Sequence, residues 1–230
     1  MKLGGFQKSS LLDYPDEISA IIWTVKCNFH CPFCYNTDIV DGKVELFSEE
    51  EILDFLKKRQ GLLDALVISG GEPLLQKDIT SFCEKVKKLG YKIKIDTNGT
   101  FPVKLQELID KKLVDYISMD VKAPVDKYNS LAGKKVDISK IKKSIKIIQQ
   151  SGVDYEFKTT VVPGLLDKND IIEIGKWLNG SKKYYLQQFK NDTSVISSDL
   201  EKIIPYSKDE ILDFVENVKQ YFDICKARGI

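Results

Sequence analysis

Six apolar, β-branched runs alternate with amphipathic helical stretches along most of this chain, and that alternation narrows the possible folds more than any other feature. The runs are residues 18–25, 65–69, 91–96, 116–121, 155–162 and 184–189. Nearly continuous apolar character of this kind belongs to strands buried on both faces. Between them, Ser48 with Glu51 forms a capping box before Ile52, Phe55 and Leu56, and residues 78–89 carry a helical stripe that stops at Gly90. Pro102 starts a helix bearing Leu105, Leu108 and Ile109, while Ile138, Ile141, Ile145 and Ile148 recur at helical spacing until Gly152. Asp167 is placed to cap Ile171, Ile174 and Trp177, and Ser207 with Glu210 opens a last helix carrying Ile211, Phe214 and Val218. Strands separated by helices pair in parallel through right-handed crossovers. The expected architecture is therefore α/β: a partial (β/α)6 barrel, TIM-like with parallel strands, two units short of a closed (β/α)8 barrel. Residues 1–17, with Gly4, Gly5 and Pro15, read as a lead-in strand or hairpin, and residues 191–205 show no periodicity. No linker or low-complexity segment interrupts residues 1–230, so one domain is expected.

A chain of 230 residues, 43% hydrophobic and 30% charged, has the composition of a soluble globular domain. Thirty-five basic residues against 34 acidic ones leave a net charge of +1, which gives no electrostatic footprint for nucleic acid. No apolar run approaches the roughly 20 residues that cross a bilayer. Nor does Met1 lead into a signal-peptide apolar region, so a cytoplasmic protein with reduced thiols and no membrane partner is expected.

Three of the five cysteines, Cys27, Cys31 and Cys34, follow the first strand in a C-x3-C-x2-C spacing. Thiolates ligate iron–sulfur clusters, and three of them suffice for three corners of a cubane, leaving the fourth iron open to a small chelator. Zinc is the competing reading, with His30, the only histidine, as a fourth ligand. Adjacent residues such as His30 and Cys31 rarely aim at one tetrahedral ion, and the paired C-x2-C spacing of zinc sites is absent. An odd cysteine count argues against a disulfide framework. Cys83 lies on a helical stripe with Ile79, Phe82 and Val86, and Cys225 continues the stripe of Phe214, Val218, Tyr221 and Phe222. Both read as core, and one cluster is expected.

Barrel sites lie at the C-terminal ends of the strands. Here those ends carry the cysteines, then Gly70-Gly71-Glu72-Pro73, Asp96-Thr97-Asn98-Gly99, Asp120-Val121-Lys122, and Lys158 with Val161-Val162-Pro163-Gly164 beyond it. Paired glycines let backbone approach a ligand closely, and Glu72 can accept from an ammonium. Any one of these groups is ordinary turn chemistry. Their recurrence on successive strands points to a single site. The lysines between Lys134 and Lys146 read instead as the solvated face of their helix.

The cysteine motif in this position, with Phe33 before the last cysteine, resembles the radical S-adenosylmethionine (radical SAM) superfamily. The strand-end motifs are similar to those of activating enzymes for glycyl radical enzymes. With Leu12-Asp13-Tyr14-Pro15 and Tyr185-Leu186-Gln187-Gln188-Phe189 the likeness covers nearly the whole chain, and it looks most like activating proteins of anaerobic ribonucleotide reductase. The resemblance implies that Cys27, Cys31 and Cys34 hold a [4Fe-4S] cluster whose open iron is chelated by the amino and carboxylate groups of S-adenosyl-L-methionine. It puts Gly70, Gly71 and Glu72 at the methionine amino group. Asp96 and Asp120 then lie near the carboxylate and ribose, with Asn98 in the same set and Lys122 and Lys158 supplying positive charge.

No catalytic side chain beyond the cluster ligands is implied. The implied reaction is an anaerobic oxidoreductase chemistry: one electron enters the sulfonium, a carbon–sulfur bond breaks, and the 5′-deoxyadenosyl radical takes a hydrogen from a glycine of a partner enzyme. Implied partners are a glycyl radical enzyme of the anaerobic ribonucleotide reductase type and a flavodoxin- or ferredoxin-type electron donor. A radical SAM enzyme acting on a small molecule, as in deazapurine biosynthesis, is the alternative. Where the family often has histidine after the last cysteine this chain has Tyr35, a departure that bears on substrate or donor preference rather than on the cluster.

Overall fold

One sheet runs through the described residues, which in this computed structural model are 1–191 and 193–230. Asp192, in the aperiodic stretch, lies outside them. The strands are β1 (Leu3–Ser10), β2 (Ser19–Thr24), β3 (Ala65–Gly70), β4 (Lys92–Thr97), β5 (Tyr116–Asp120), β6 (Asp154–Val161), β7 (Ser181–Gln188) and β8 (Phe222–Arg228), paired in that order. The helices are α1 (Thr37–Asp41), α2 (Glu49–Lys58), α3 (Ile79–Lys88), α4 (Pro102–Asp110), α5 (Tyr128–Ala132), α6 (Ile138–Gln150), α7 (Lys168–Trp177) and α8 (Lys208–Val218). Strands β2 to β8 are mutually parallel, and β1 alone runs antiparallel, against β2. No pairing joins β1 to β8 among the described residues, so the barrel is open on that side.

The six expected strands are β2 to β7, and the lead-in is β1. The sheet continues one strand further than the sequence suggested. Cys225 does not continue the stripe of α8. That helix ends at Val218, a 3-10 turn at Lys219–Tyr221 redirects the chain, and Cys225 lies on β8 opposite Tyr184. An edge strand interrupted by Asp223, Lys226 and Arg228 carries no continuous apolar run, and the spacing of its few apolar residues happened to extend the helical one.

Local signals that depend on short-range chemistry are realised directly. Ser48 accepts from Glu51 N at 3.0 Å while Glu51 accepts from Ser48 N at 3.0 Å. The same reciprocal box opens α7 at Asp167 and α8 at Ser207. Helix-facing strand residues such as Ile22, Ile68, Ile95, Ile117, Phe157 and Leu186 join the apolar faces of α2 to α8 in one core. The opposite face, toward the barrel axis, is closed at its lower end by Tyr14, Ile21, Ala65, Val67 and Tyr116. Above that plug the axial face is charged. No described helix is long and apolar enough to cross a membrane.

One buried carboxylate ties the added strand to the barrel. Glu156, 1% exposed, accepts from Tyr116 and Ser118 hydroxyls at 3.0 Å and from both Nη atoms of Arg228 at 2.7 Å. Arg228 also lies over the Tyr185 ring, its Cζ 3.4 Å from the centroid. Burial alone would raise the Glu156 pKa, but Arg228 wins and holds it below its usual 4.5. The pair therefore stabilises the fold above about pH 4.5 and loses that contribution as pH falls through the lowered value. Replacing Arg228 with alanine strands a buried carboxylate. Because the guanidinium is partly exposed, the loss at pH 7 should be about 2 kcal/mol, less than for a wholly buried pair. Urea melts of the two proteins at pH 7 and pH 4 test this; a difference that does not shrink at pH 4 contradicts the ion-pair account.

Candidate cofactor site

The cysteine loop is held at both ends by backbone. As β2 ends, Lys26 takes a left-handed conformation (φ 75°) and its carbonyl accepts from Glu72 N at 3.0 Å, while Thr24 O accepts from Gly71 N at 2.9 Å. A Cβ on Gly71 would overlap the Lys26 carbonyl, and one on Gly70, at φ 116°, would overlap Thr24 backbone. Glycine is required there by the meeting of two strand ends. Within the loop, Phe29 N donates to Cys27 Sγ at 3.3 Å and Cys34 N to Cys31 O at 3.0 Å. From outside, His30 N donates to Ala132 O at 2.8 Å, at the end of α5, where Gly133 leaves room for the His30 carbonyl. Ser197 N donates to Pro32 O at 2.9 Å and Ile196 N to Cys34 O at 3.2 Å, so part of the aperiodic stretch clamps the loop.

The loop, β3, β4, β5 and β6 together enclose a cavity of about 200 Å3. Cys27, Cys31, Cys34, Gly70, Gly71, Asp96, Asn98, Asp120, Lys122 and Lys158 all line it, with Phe29, Phe33 and Val40 as apolar wall. Glu72 alone of the expected residues does not. It is wholly buried, accepting from Leu74 N at 3.0 Å, Thr97 Oγ1 at 2.8 Å and Asn98 N at 2.7 Å. Burial pushes its pKa up to about 7 against the pull of these donors. Its carboxylate shapes the turns after β3 and β4, since all its donors come from the chain itself. Asn98 is also braced, donating to Asn28 Oδ1 at 2.9 Å and to Cys27 Sγ at 3.8 Å.

Burial raises all three thiol pKa values, Cys27 to about 12 and Cys31 to about 11, with Lys122 opposing at each. Such thiols need a metal to draw off their protons. Among the described residues no three cysteine, histidine or carboxylate side chains converge on a point that one metal ion could fill. Three thiols spread around one cavity suit a cluster, which takes one thiolate per iron, better than a tetrahedral zinc. His30, the would-be zinc ligand, is exposed and outside the cavity.

Charges alternate along the axial face. Lys94 Nζ stands 3.1 Å from Asp96 Oδ1, Lys158 Nζ lies 3.9 Å from Asp96 and 3.8 Å from Asp120, and Lys122 Nζ is 3.2 Å from Asp120 Oδ1. Burial would raise the Asp96 pKa, but Lys158 and Lys94 outweigh it and keep the carboxyl below its ordinary range. Lys122 is likewise held above its usual value despite burial, by Asp120 and the Cys31 and Cys34 sulfurs. The row sets three lysines against two aspartates within a few ångströms, suited to a ligand carrying both signs.

Sequence reasoning passed over Lys94, Ala132, Gly133 and the backbone of Ile196 and Ser197. Only the Ala132-Gly133 pair carries a signal, two small residues where something must approach. The strand-end contact makes a simple forecast. Gly71→Ala should cost clearly more stability than Gly61→Ala, whose Cβ meets nothing and whose φ of 78° costs about 1–2 kcal/mol. Equal losses in denaturant melts would mean the two strand ends are not locked together.

Comparisons with known proteins agree with this geometry. The family model of the radical SAM superfamily matches residues 21–178. A protein of Methanocaldococcus jannaschii, provisionally described as a glycyl-radical enzyme activating enzyme, is 36% identical over 99% of this chain and 96% of its own length. A second from the same organism, with the same provisional description, is 28% identical over 98% and 88%. A 7-carboxy-7-deazaguanine synthase of Hyperthermus butylicus is 34% identical over only 36% of each chain. In fold, the chain is similar to Streptococcus suis SuiB bound to S-adenosylmethionine (TM-score 0.69, 17% identity, 90% of this chain), spanning about half of that protein, at 49%. The matched segment holds all three loop cysteines and every axial charge from Lys94 to Lys158, and on that ground the chain belongs to the radical SAM superfamily.

Proposed function

We propose that this chain is an activase that generates a glycyl radical on a partner enzyme, of the anaerobic ribonucleotide reductase type, using S-adenosyl-L-methionine and a [4Fe-4S] cluster. The observation that carries the reading is likeness to the M. jannaschii protein across nearly the full length of both chains. The deazaguanine synthase likeness, which favours a small-molecule substrate, is confined to about a third of each.

In this reading Cys27, Cys31 and Cys34 would hold the cluster, which when bound supplies one-electron reductive cleavage of the sulfonium to a 5′-deoxyadenosyl radical. The chain's own residues do the rest. Gly70 and Gly71 expose backbone beside the thiols to the methionine amino group. Asp96, Asn98, Asp120, Lys122 and Lys158 orient the zwitterion and the ribose through charges already matched to one another, so little reorganisation accompanies binding. Lys122, kept cationic beside two sulfurs, balances the thiolate charge. Phe29, Phe33 and Val40 exclude water from the reacting centre. Electrons come from a flavodoxin- or ferredoxin-type donor in the cytoplasm.

Anoxically reconstituted protein should bind about four irons with matching sulfide, as one cubane requires. Cys27→Ser, Cys31→Ser or Cys34→Ser should lose them, and Cys83→Ala and Cys225→Ala should not. Zinc without iron in anoxically purified protein would falsify the cluster assignment. The functional test mixes reduced protein, S-adenosylmethionine and the anaerobic reductase of the same organism. A paramagnetic resonance doublet that collapses on glycine deuteration is expected. Formation of 5′-deoxyadenosine with no doublet would move the assignment to a small-molecule substrate.

A further inference from the structure

A second cavity, of about 490 Å3, adjoins the first and shares Tyr35, Asp96, Lys158 and Gln187 with it. It lies on the open side of the barrel, between the loop joining β1 to β2 and the ends of β7 and β8. Its deep charges are already matched: Glu156 with Arg228, and Asp96 with Lys94 and Lys158. Away from the Asp96 row, a charged ligand group must compete with the Glu156–Arg228 pair, whose buried carboxylate is already satisfied. A peptide group need not. At the junction of the two cavities the half-buried Gln187 carboxamide makes no hydrogen bond to any described residue, and it offers the donors and acceptor that a peptide group complements.

The rim adds a second, independent observation. Leu11 and Leu12 are 76% and 93% exposed on the β1–β2 loop, whose next residues wall the cavity. The loop is held firmly. Leu12 N donates to Ser10 Oγ at 3.1 Å, the Ser10 hydroxyl donates to Asp13, and Tyr14 is buried against Tyr116 with ring centroids 5.6 Å apart. Lys94 Nζ donates to Asp13 O at 2.6 Å and stands 3.1 Å from Asp96, so one lysine joins the rim to the cofactor cavity. Two leucines fixed in water gain little from a small polar molecule entering beside them. They gain from a protein surface, and a pre-ordered loop loses little entropy on docking.

We propose that the β1–β2 loop is the docking element for the protein partner, and that the cavity behind it admits an uncharged, extended peptide segment whose backbone is read by Gln187. This rests on the activase reading and names the segment which that reading requires. The experiment uses the reconstituted full-length protein with the reductase of the same organism, following the glycyl doublet at varied reductase concentration. Leu11→Ser/Leu12→Ser should raise the half-saturating reductase concentration about tenfold, the size of one hot-spot loss, while partner-free formation of 5′-deoxyadenosine and the melting temperature stay unchanged. The single variant Leu12→Gln should move the same way by a smaller factor. Gln187→Ala should lower the maximal rate and raise the ratio of 5′-deoxyadenosine to glycyl radical. Gln187→Glu, similar in size without the N–H donors, should do no better than alanine. If the wild type forms the doublet and these variants match it, the docking proposal is overturned and the activase reading stands. If the wild type forms 5′-deoxyadenosine and no doublet, both are overturned.

Discussion

The contact on which the rest of the site depends is backbone to backbone: Glu72 N on the Lys26 carbonyl, beside Gly71 N on Thr24 O. It clamps the end of β3 onto the start of the cysteine loop. Because the clamp leaves no space for a Cβ, residue 71 is glycine, and because the chain must turn at once into the loop, Lys26 accepts a left-handed backbone. Glu72, carried inward by the same contact, then accepts from Thr97 and Asn98 and so fixes the end of β4. Asn98 in turn reaches Asn28 and the Cys27 sulfur. A closed circuit runs from β2 to β3 to β4 and back to the cysteines; the Glu72 links are buried, where losing a partner is costly, and the Asn98 links to the loop are partly buried.

Strand parity separates stability from chemistry. Alternate residues of β2 to β7 face the helices and, buried threonines near the strand ends apart, are apolar, so the fold is held by one continuous core. Their neighbours face the axis, apolar only at the base, where Tyr14 and Tyr116 close the barrel. Above, the axial face can be charged because those charges are not asked to contribute to the core. They need only be paired, and in the run from Lys94 through Asp96, Lys158 and Asp120 to Lys122 every charge has an opposite neighbour, with one lysine in excess. A buried lysine without its acid, or an acid without its lysine, would shift its pKa and neutralise.

How legible this was follows from the range of each cause. Strands buried on both faces show as continuous apolar runs, and helix caps are set within four residues, so β2 to β7 and the boxes at Ser48 and Ser207 could be read directly. Polar groups at strand ends were legible as a set, and ten of the eleven line one cavity. Glu72 lies behind the cavity wall because its burial depends on Thr97 and Asn98, residues brought to it only by the sheet. Strand β8 was missed because an edge strand need satisfy only one face. The clamps from Ile196 and Ser197 use main-chain atoms, which leave no trace in residue type.

The open side is where the two demands on such a site conflict. A closed barrel would seal the axial cavity and leave no path for a macromolecular target; a wide opening would admit water to a reactive centre. Here the gap is flanked by structure on both edges. On one edge Arg228 is locked to Glu156 and stacked on Tyr185, so β8 cannot drift outward without exposing a buried carboxylate. On the other, the β1–β2 loop is tied through Asp13 and Lys94 to Asp96 at the cofactor cavity. Both edges are thus anchored to the same axial charges that line the two cavities. The opening is therefore bordered on both sides by segments tied to polar contacts inside the barrel, with Tyr14 packed on Tyr116 adding an apolar hold on the loop.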